Sequence, residues 1–133
     1  MSKNTGVEVV RQENGAALMR RPDADRVFVQ PRADIYETRD AFVLIVDLPG
    51  TSRDALSVLV EKSSLIIRGR VERYHEQGAT MLYNELHDAD YARVFNLGEG
   101  IDRDNIDAWF DQGVLTVKLF KHASLQPREI TIR

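Results

Sequence analysis

The chain has 133 residues, no cysteine, 18 basic and 21 acidic side chains, and a formal net charge of −3. This length suits one domain with short tails, because a domain of this size buries about two-thirds of the surface that its unfolded chain exposes. The lack of cysteine excludes disulfides, thiolate metal sites and thiol nucleophiles. The mixed charges show no electrostatic footprint for nucleic acid, so we expect no nucleic-acid partner.

The first segment, residues 1–30, is expected to be a largely flexible N-terminal arm. Its short helix candidate ends at Pro22, and no apolar face is long enough to stabilise an isolated helix. The arm has no apolar run typical of a signal peptide, and the chain has no stretch of about 20 apolar residues that would span a membrane. We therefore expect a cytoplasmic protein without a membrane span.

Short strands separated by turn residues begin at Pro31. Two strands are predicted around a turn at residues 38–40, and alternate apolar residues of the second strand share one face. These residues are Phe42, Leu44, Val46 and Leu48. The next segment predicts a hairpin with its turn at residues 62–64.

A long polar connection, residues 72–90, contains the strand-like sequence MLYNEL at residues 81–86. Connections of this length in compact domains are usually functional or disordered. The sequence YARVFNL at residues 91–97 predicts a further strand, and residues 98–105 predict a turn region.

The last part of the domain, residues 105–120, predicts two strands about Gln112 and Gly113. The apolar residues expected on one face are Ile106, Ala108, Phe110, Leu115, Val117 and Leu119. About seven or eight short strands without a convincing helix indicate an all-β protein, an antiparallel β-sandwich.

The sequence contains no pattern typical of a catalytic or cofactor site. His75, His87 and His122 are far apart and stand in no ligand spacing, which argues against a metal site. No serine lies in a G-x-S-x-G elbow, and the glycines at 98 and 100 do not open a helix that would hold phosphate. We therefore expect neither an enzyme nor a cofactor.

Five motifs follow one another along residues 31–132. They are DIYET at 34–38, DLPG at 47–50, ARVFNL at 92–97, AWFDQGVL at 108–115 and ITI at 130–132. Each is weak alone, but in this order and spacing they resemble the small heat-shock protein (α-crystallin domain) family of bacterial type.

The resemblance implies an immunoglobulin-like sandwich over residues 31–120, followed by a C-terminal extension over residues 121–133 that carries an I-x-I motif. It implies an ATP-independent chaperone, or holdase, that binds partly unfolded client proteins, prevents their aggregation under stress, and leaves refolding to ATP-dependent chaperones.

The resemblance also implies a homodimer, and beyond it a higher oligomer. The loop at residues 72–90 would protrude and add its central strand to the partner's sheet. The implied interface residues are Met81, Leu82, Tyr83, Asn84, Glu85, Leu86 and Arg93. Arg93 shares a strand face with aromatic residues and needs a carboxylate or a ring as partner; otherwise it is an exposed arginine lying over a ring.

The terminal ITI is predicted to add as a strand to a groove at a sheet edge, where Ile130 and Ile132 would enter pockets. The candidate groove residues are Leu56, Val58, Val60, Ile106, Ala108 and Phe110; each has the alternative of being plain core. The residues of the arm that are candidates for binding clients are Val7, Val9, Val10, Leu18 and Phe28. The tail itself has the alternative of being the last edge strand of its own sandwich.

The chain departs from the family pattern where Gly98 and Phe120 stand in place of proline, and this predicts looser exits from two strands. Two other functions stay open. One is a non-catalytic co-chaperone or scaffold module that docks one folded partner. The other is an enzyme with an unrecognised carboxylate site.

Overall fold

The computed structural model describes residues 6–9, 27–71, 76–83, 89–125 and 129–133. The strands, in chain order, are β1 Val7–Val9, β2 Val27–Val29, β3 Ala33–Glu37, β4 Ala41–Asp47, β5 Thr51–Glu61, β6 Ser64–Val71, β7 Ala89–Leu97, β8 Ile101–Asp111 and β9 Val114–Lys121. A 3₁₀ turn, Ala123–Leu125, follows β9.

The strands form two sheets. One sheet has the order β1-β7-β6-β5, with β2 also paired to β7, and the other has the order β3-β4-β9-β8. Among these pairs, only that of β2 with β7 is parallel. The predicted all-β, immunoglobulin-like sandwich is confirmed.

The inward faces of both sheets form one core, because alternate side chains of each strand point to it. Its fully buried members include Leu44 and Val46 of β4 and Leu48 directly after β4, as the alternation of apolar residues predicts. The other buried members of this cluster are Leu65, Ile67, Phe95, Leu97, Ile101, Leu115, Val117 and Leu119. The core therefore draws on β4, β6, β7, β8 and β9.

The three predicted hairpin turns are confirmed. The β3–β4 turn closes where the amide of Thr38 donates to the Ala41 carbonyl at 2.7 Å. Lys62 in the β5–β6 turn has a φ of 54°, while Gln112 and Gly113 between β8 and β9 have φ values of 48° and 77°. Two successive residues with positive φ match the right-handed twist of the flanking strands, which favours glycine at the second position.

Residues 101–105, predicted as part of a turn region, belong to β8 instead. Ile101 is buried and pairs with Lys121, and the register shifts before Ile106 pairs with Leu119. The polar residues between them form a bulge, which removes the alternation that a strand normally shows in sequence.

Two short strands lie within the segment predicted as an arm. β1 pairs with residues 95–97 of β7 and β2 with residues 89–91 of the same strand. Val7 packs against the core, and Phe28 is partly buried. Val10 and Leu18 lie outside the described residues, as does the side chain of Val9. Two of the candidate client-binding residues are thus in contact with the sandwich in this state of the chain.

Candidate functional site

A groove runs between the two sheets where their edge strands, β5 and β8, lie side by side. It has a volume of about 370 Å³. Its walls are formed by Arg53, Leu56, Val58, Ala108, Trp109, Phe110 and Leu115. Because both strands are sheet edges, each offers backbone groups to a further strand, and the groove between them offers apolar pockets.

Four of the six predicted groove residues line this groove, namely Leu56, Val58, Ala108 and Phe110. The other two, Val60 and Ile106, do not line it and are partly buried against the core. Leu56, Val58 and Phe110 also pack against the core. The choice between groove wall and core is therefore not exclusive, since one side of a partly buried side chain faces the interior and the other faces the groove.

Ala108 is the small residue of the β8 wall. It is exposed, whereas Ile106 and Phe110 on the same face of the strand are partly buried. Small residues between large ones leave a gap on a strand surface, and Ala108 lines the same groove as Val58. An apolar side chain of moderate size fits such a gap.

Arg53 closes one end of the groove and was not predicted. Its Nη2 donates to the Phe110 carbonyl at 3.4 Å, which links β5 to β8 across the opening. The register of β5 shifts between Thr51 and Leu56, and this bulge carries Arg53. The sequence around Arg53 shows no signal for the bulge, because bulges follow from the pairing of β5 with β6.

The terminal isoleucines lie outside any strand. Ile130 and Ile132 are 82% and 92% exposed, and no strand is assigned to residues 129–133. The alternative that the tail is the last edge strand of its own sandwich is therefore wrong for the single chain. The groove is open, and the segment predicted to occupy it is exposed.

The start of the C-terminal extension is held firmly by Lys121. Its Nζ lies 2.9 Å from Glu37 Oε1 and donates to the Thr38 carbonyl at 2.9 Å. The same ammonium lies 5.0 Å from the centre of the Phe42 ring, and the side chain is only 12% exposed. The backbone amide of Lys121 also donates to the Asp40 carbonyl at 2.8 Å.

The looser strand exits predicted from the missing prolines stay a prediction, and the structure shows backbone hydrogen bonds at both exits. At the other exit, the amide of Gly98 donates to the Gly6 carbonyl at 2.6 Å and the amide of Ile101 donates to the Gly98 carbonyl at 3.2 Å. Hydrogen bonds hold the backbone at both places, where proline would only have restricted it.

A second open edge belongs to β3, which pairs with β4 on one side only in the described part of the chain. The described residues of the loop segment, Met81, Leu82 and Tyr83, are 67%, 93% and 79% exposed. Asn84, Glu85 and Leu86 lie outside the described residues. Three large apolar side chains in water at a loop are unusual unless they meet a partner.

Arg93 is partly buried on β7, next to the chain that leads into β3. Its Nη1 donates to the Pro31 carbonyl at 2.5 Å, and its guanidinium carbon lies 5.1 Å from the centre of the Phe95 ring. Burial lowers the pKa of Arg93 below its ordinary value. A ring partner is present, as expected, and a backbone carbonyl takes the place of a carboxylate, while the buried Nε makes no hydrogen bond to the described residues.

Other kinds of site are not seen in the part of the chain that the structure describes. No group of three or more histidine, aspartate and glutamate side chains is arranged there to hold a metal ion. The described ranges also contain no helix long and apolar enough to cross a membrane.

Comparison with known proteins agrees with this geometry. Residues 34–133 match the model of the Hsp20/alpha crystallin family. The chain belongs to this family. This match confirms the resemblance seen in the motifs. Members of the family are small heat-shock chaperones, which are not enzymes.

Bacterial proteins are among the relatives of this chain. A probable 15 kDa heat shock protein of Leptospira interrogans is 32% identical over 126 residues, which cover 94% of this chain and 95% of that protein. Spore protein SP21 of Stigmatella aurantiaca is 31% identical over 103 residues, 77% of this chain and 61% of that protein. A solved small heat-shock protein from Xylella fastidiosa is 34% identical with a TM-score of 0.61, covering 79% of this chain and 97% of that one.

Proposed function

We propose that this chain is an ATP-independent holdase of the cytoplasm that binds partly unfolded proteins, prevents their aggregation under stress, and leaves refolding to ATP-dependent chaperones. The observation that carries the proposal is the open apolar groove between β5 and β8, together with an exposed tail whose two isoleucines suit it. A holdase needs apolar surface for clients, yet such surface must be covered when no client is present.

The tail of one copy covers the groove of another in this proposal. Residues two apart in a strand place their side chains on one face about 7 Å apart, so Ile130 and Ile132 match the spacing of Leu56 and Val58. Burying two isoleucines contributes on the order of 3 to 6 kcal/mol before the entropy of ordering the tail is subtracted. The net contact is weak and exchangeable, which lets a client with similar apolar segments replace the tail.

The dimer in this proposal forms by strand exchange. The loop strand at residues 81–86 extends away from its own sandwich and adds to the free edge of the partner's β3. This extends the partner's β3-β4-β9-β8 sheet by one strand. Two observations support this step: the open edge of β3, and the exposure of Met81, Leu82 and Tyr83. The tails then connect dimers, and weak contacts act together through effective concentration. The solved relative from Xylella fastidiosa is described as having a distinct high order structure.

The chaperone function is tested by light scattering from a heat-aggregating protein, with and without this chain, and with no ATP present. We expect the scattering to fall as the chain is added, and we expect added ATP to change nothing. A folded β-sandwich protein of similar size and unrelated family is the control for crowding and surface effects.

No suppression at a several-fold molar excess of the chain would contradict the holdase proposal. A module that docks one folded partner would give that result, because it has no affinity for unrelated unfolded chains. The two functions are thus separated by one measurement.

A further inference from the structure

The tail and the groove carry charges at their ends, and these charges distinguish the two directions in which the tail can lie. We infer that residues 129–133 of a neighbouring copy bind parallel to β5, with Glu129 paired to Arg53. This inference rests on the proposed function, since it concerns the direction of the tail in the groove that the tail is proposed to fill.

The two ends of the groove differ. Arg53, near the beginning of β5, contacts the carbonyl of Phe110, near the end of β8, so the two strands run in opposite directions along the groove. Arg53 is exposed, and its bond to a neutral carbonyl is long at 3.4 Å. A carboxylate is a better partner for a guanidinium, since it forms shorter, charge-assisted hydrogen bonds.

The other end of the groove is acidic on the β5 side. Val60 is followed by Glu61, the last residue of the strand, and Glu61 is exposed. On the β5 side, Arg53 thus lines one end of the groove and Glu61 lies beyond the other, with apolar walls between them. Other exposed charges lie nearby, namely Asp54 and Asp111 at the Arg53 end and Lys62 after Glu61, but none of them lines the groove.

The tail has the complementary arrangement. Glu129 precedes Ile130 and Arg133 follows Ile132, and both charged residues are exposed. With Glu129 at Arg53, the two isoleucines come beside Leu56 and Val58, and the long Arg133 side chain extends toward Glu61. From Glu129 to Arg133 an extended chain spans about 13 Å, and from Arg53 to Glu61 it spans about 26 Å. The tail backbone therefore lies beside residues 55–59, and the long side chains of Arg53 and Arg133 cover the remaining distance to their partners.

The reverse direction places like charges together. Arg133 would then lie beside Arg53 and Glu129 beside Glu61, although the isoleucines would still fill the same two pockets. The apolar contacts do not choose a direction, because the ITI segment reads nearly the same both ways. The charges therefore decide it.

The test uses the full chain carrying Ile130→Ala and Ile132→Ala, which keeps its own tail out of the groove. The ligand is a synthetic peptide of residues 126–133. Trp109 is the chain's single tryptophan, lines the groove and is 51% exposed, so its fluorescence reports occupancy. Two further peptides report the direction through a disulfide to a chain that also carries Ser52→Cys, at an exposed position beside Arg53. One carries Arg128→Cys and the other has a cysteine added after Arg133; the natural chain has no cysteine that would compete.

We expect the Arg128→Cys peptide to form its disulfide about threefold to tenfold faster than the peptide whose cysteine follows Arg133, as suits one or two exposed charge pairs that favour one direction. In a chain that also carries Arg53→Glu the preference should disappear, because either direction then makes one favourable and one unfavourable pair. The difference should shrink as salt is added, since exposed charges are screened. Arg103→Glu makes the same change of charge on β8 away from this groove and should leave the order unchanged.

The outcomes separate this inference from the proposed function. If the natural peptide does not bind at all, the proposal that the tail fills the groove is wrong. If both cysteine peptides form the disulfide at the same rate, or the peptide whose cysteine follows Arg133 reacts faster, the groove is still the tail site but the inferred direction is wrong. A preference for the Arg128→Cys peptide that Arg53→Glu removes supports both.

Discussion

At the level of single residues, Ala108 is the position where one substitution should block the groove. It is exposed and lies between two larger, partly buried residues of β8. We expect Ala108→Phe to fill the gap, prevent tail docking and lower the mass of the assembly in solution. The free energy of unfolding should change by about 0.5 kcal/mol or less, because the site is on the surface.

The matched control for this variant is Asp107→Phe. Asp107 is an exposed neighbour on the opposite face of β8, so the same ring there points away from the groove. An equal loss of mass in both variants would mean that an added surface ring, and not a filled groove, lowers the assembly.

Arg93 joins β7 to the chain leading into β3, and thus to the proposed dimer edge. Removing its bond to the Pro31 carbonyl leaves a buried acceptor without its charged donor, at a cost of about 1 to 3 kcal/mol. We expect Arg93→Ala to lower the urea midpoint and to make the dimer dissociate at higher protein concentration. If Arg93→Ala and the natural chain dissociate equally on dilution, Arg93 stabilises the fold and does not contribute to the dimer.

At the level of elements, the loop strand provides a clean test of strand exchange. Leu82 is 93% exposed and lies in the segment proposed to pair with the partner's β3. Proline has no N–H for a strand ladder. We expect Leu82→Pro to leave the sandwich folded, as measured by circular dichroism, but to shift the protein from dimer to monomer in sedimentation experiments.

A proline elsewhere in the same loop is the control. Residues 76–79 form a turn in which the amide of Ala79 donates to the Glu76 carbonyl at 3.3 Å, and Gly78 has a φ of 76°. Proline is favoured before such a glycine, so Gln77→Pro is compatible with the turn. A dimer weakened equally by both prolines would show sensitivity to loop rigidity and would contradict strand addition.

At the level of the whole molecule, the tail should decide the size of the assembly. We expect a chain truncated after Glu129 to keep its fold, since Ile130 and Ile132 contribute little buried surface within the single chain. Its mass by light scattering should fall to that of the dimer, because the contacts between dimers are lost. If the mass is the same with and without the last four residues, the tail does not connect dimers.

The class of the fold and the parts of the site that depend on local pattern follow from the sequence alone. Alternating apolar residues in β4, β6 and β9 predicted the faces that form the core, and turn residues predicted the hairpins. The order of short motifs indicated the family, and the spacing of Ile130 and Ile132 indicated a strand-like tail. These features are readable because a side-chain period of two is a local property of the chain.

The tertiary structure alone decided which predicted residues meet and how the chain is held beside them. The bulges in β5 and β8 carry Arg53 to the mouth of the groove and place Ile101 in the core. Lys121 holds the start of the extension through residues more than 80 positions earlier in the chain. Val60 and Ile106 are partly buried, as Val58 and Phe110 on the same strand faces are, yet they do not line the groove. Register and bulges follow from pairing between distant strands, and the local sequence pattern does not specify the partner strand.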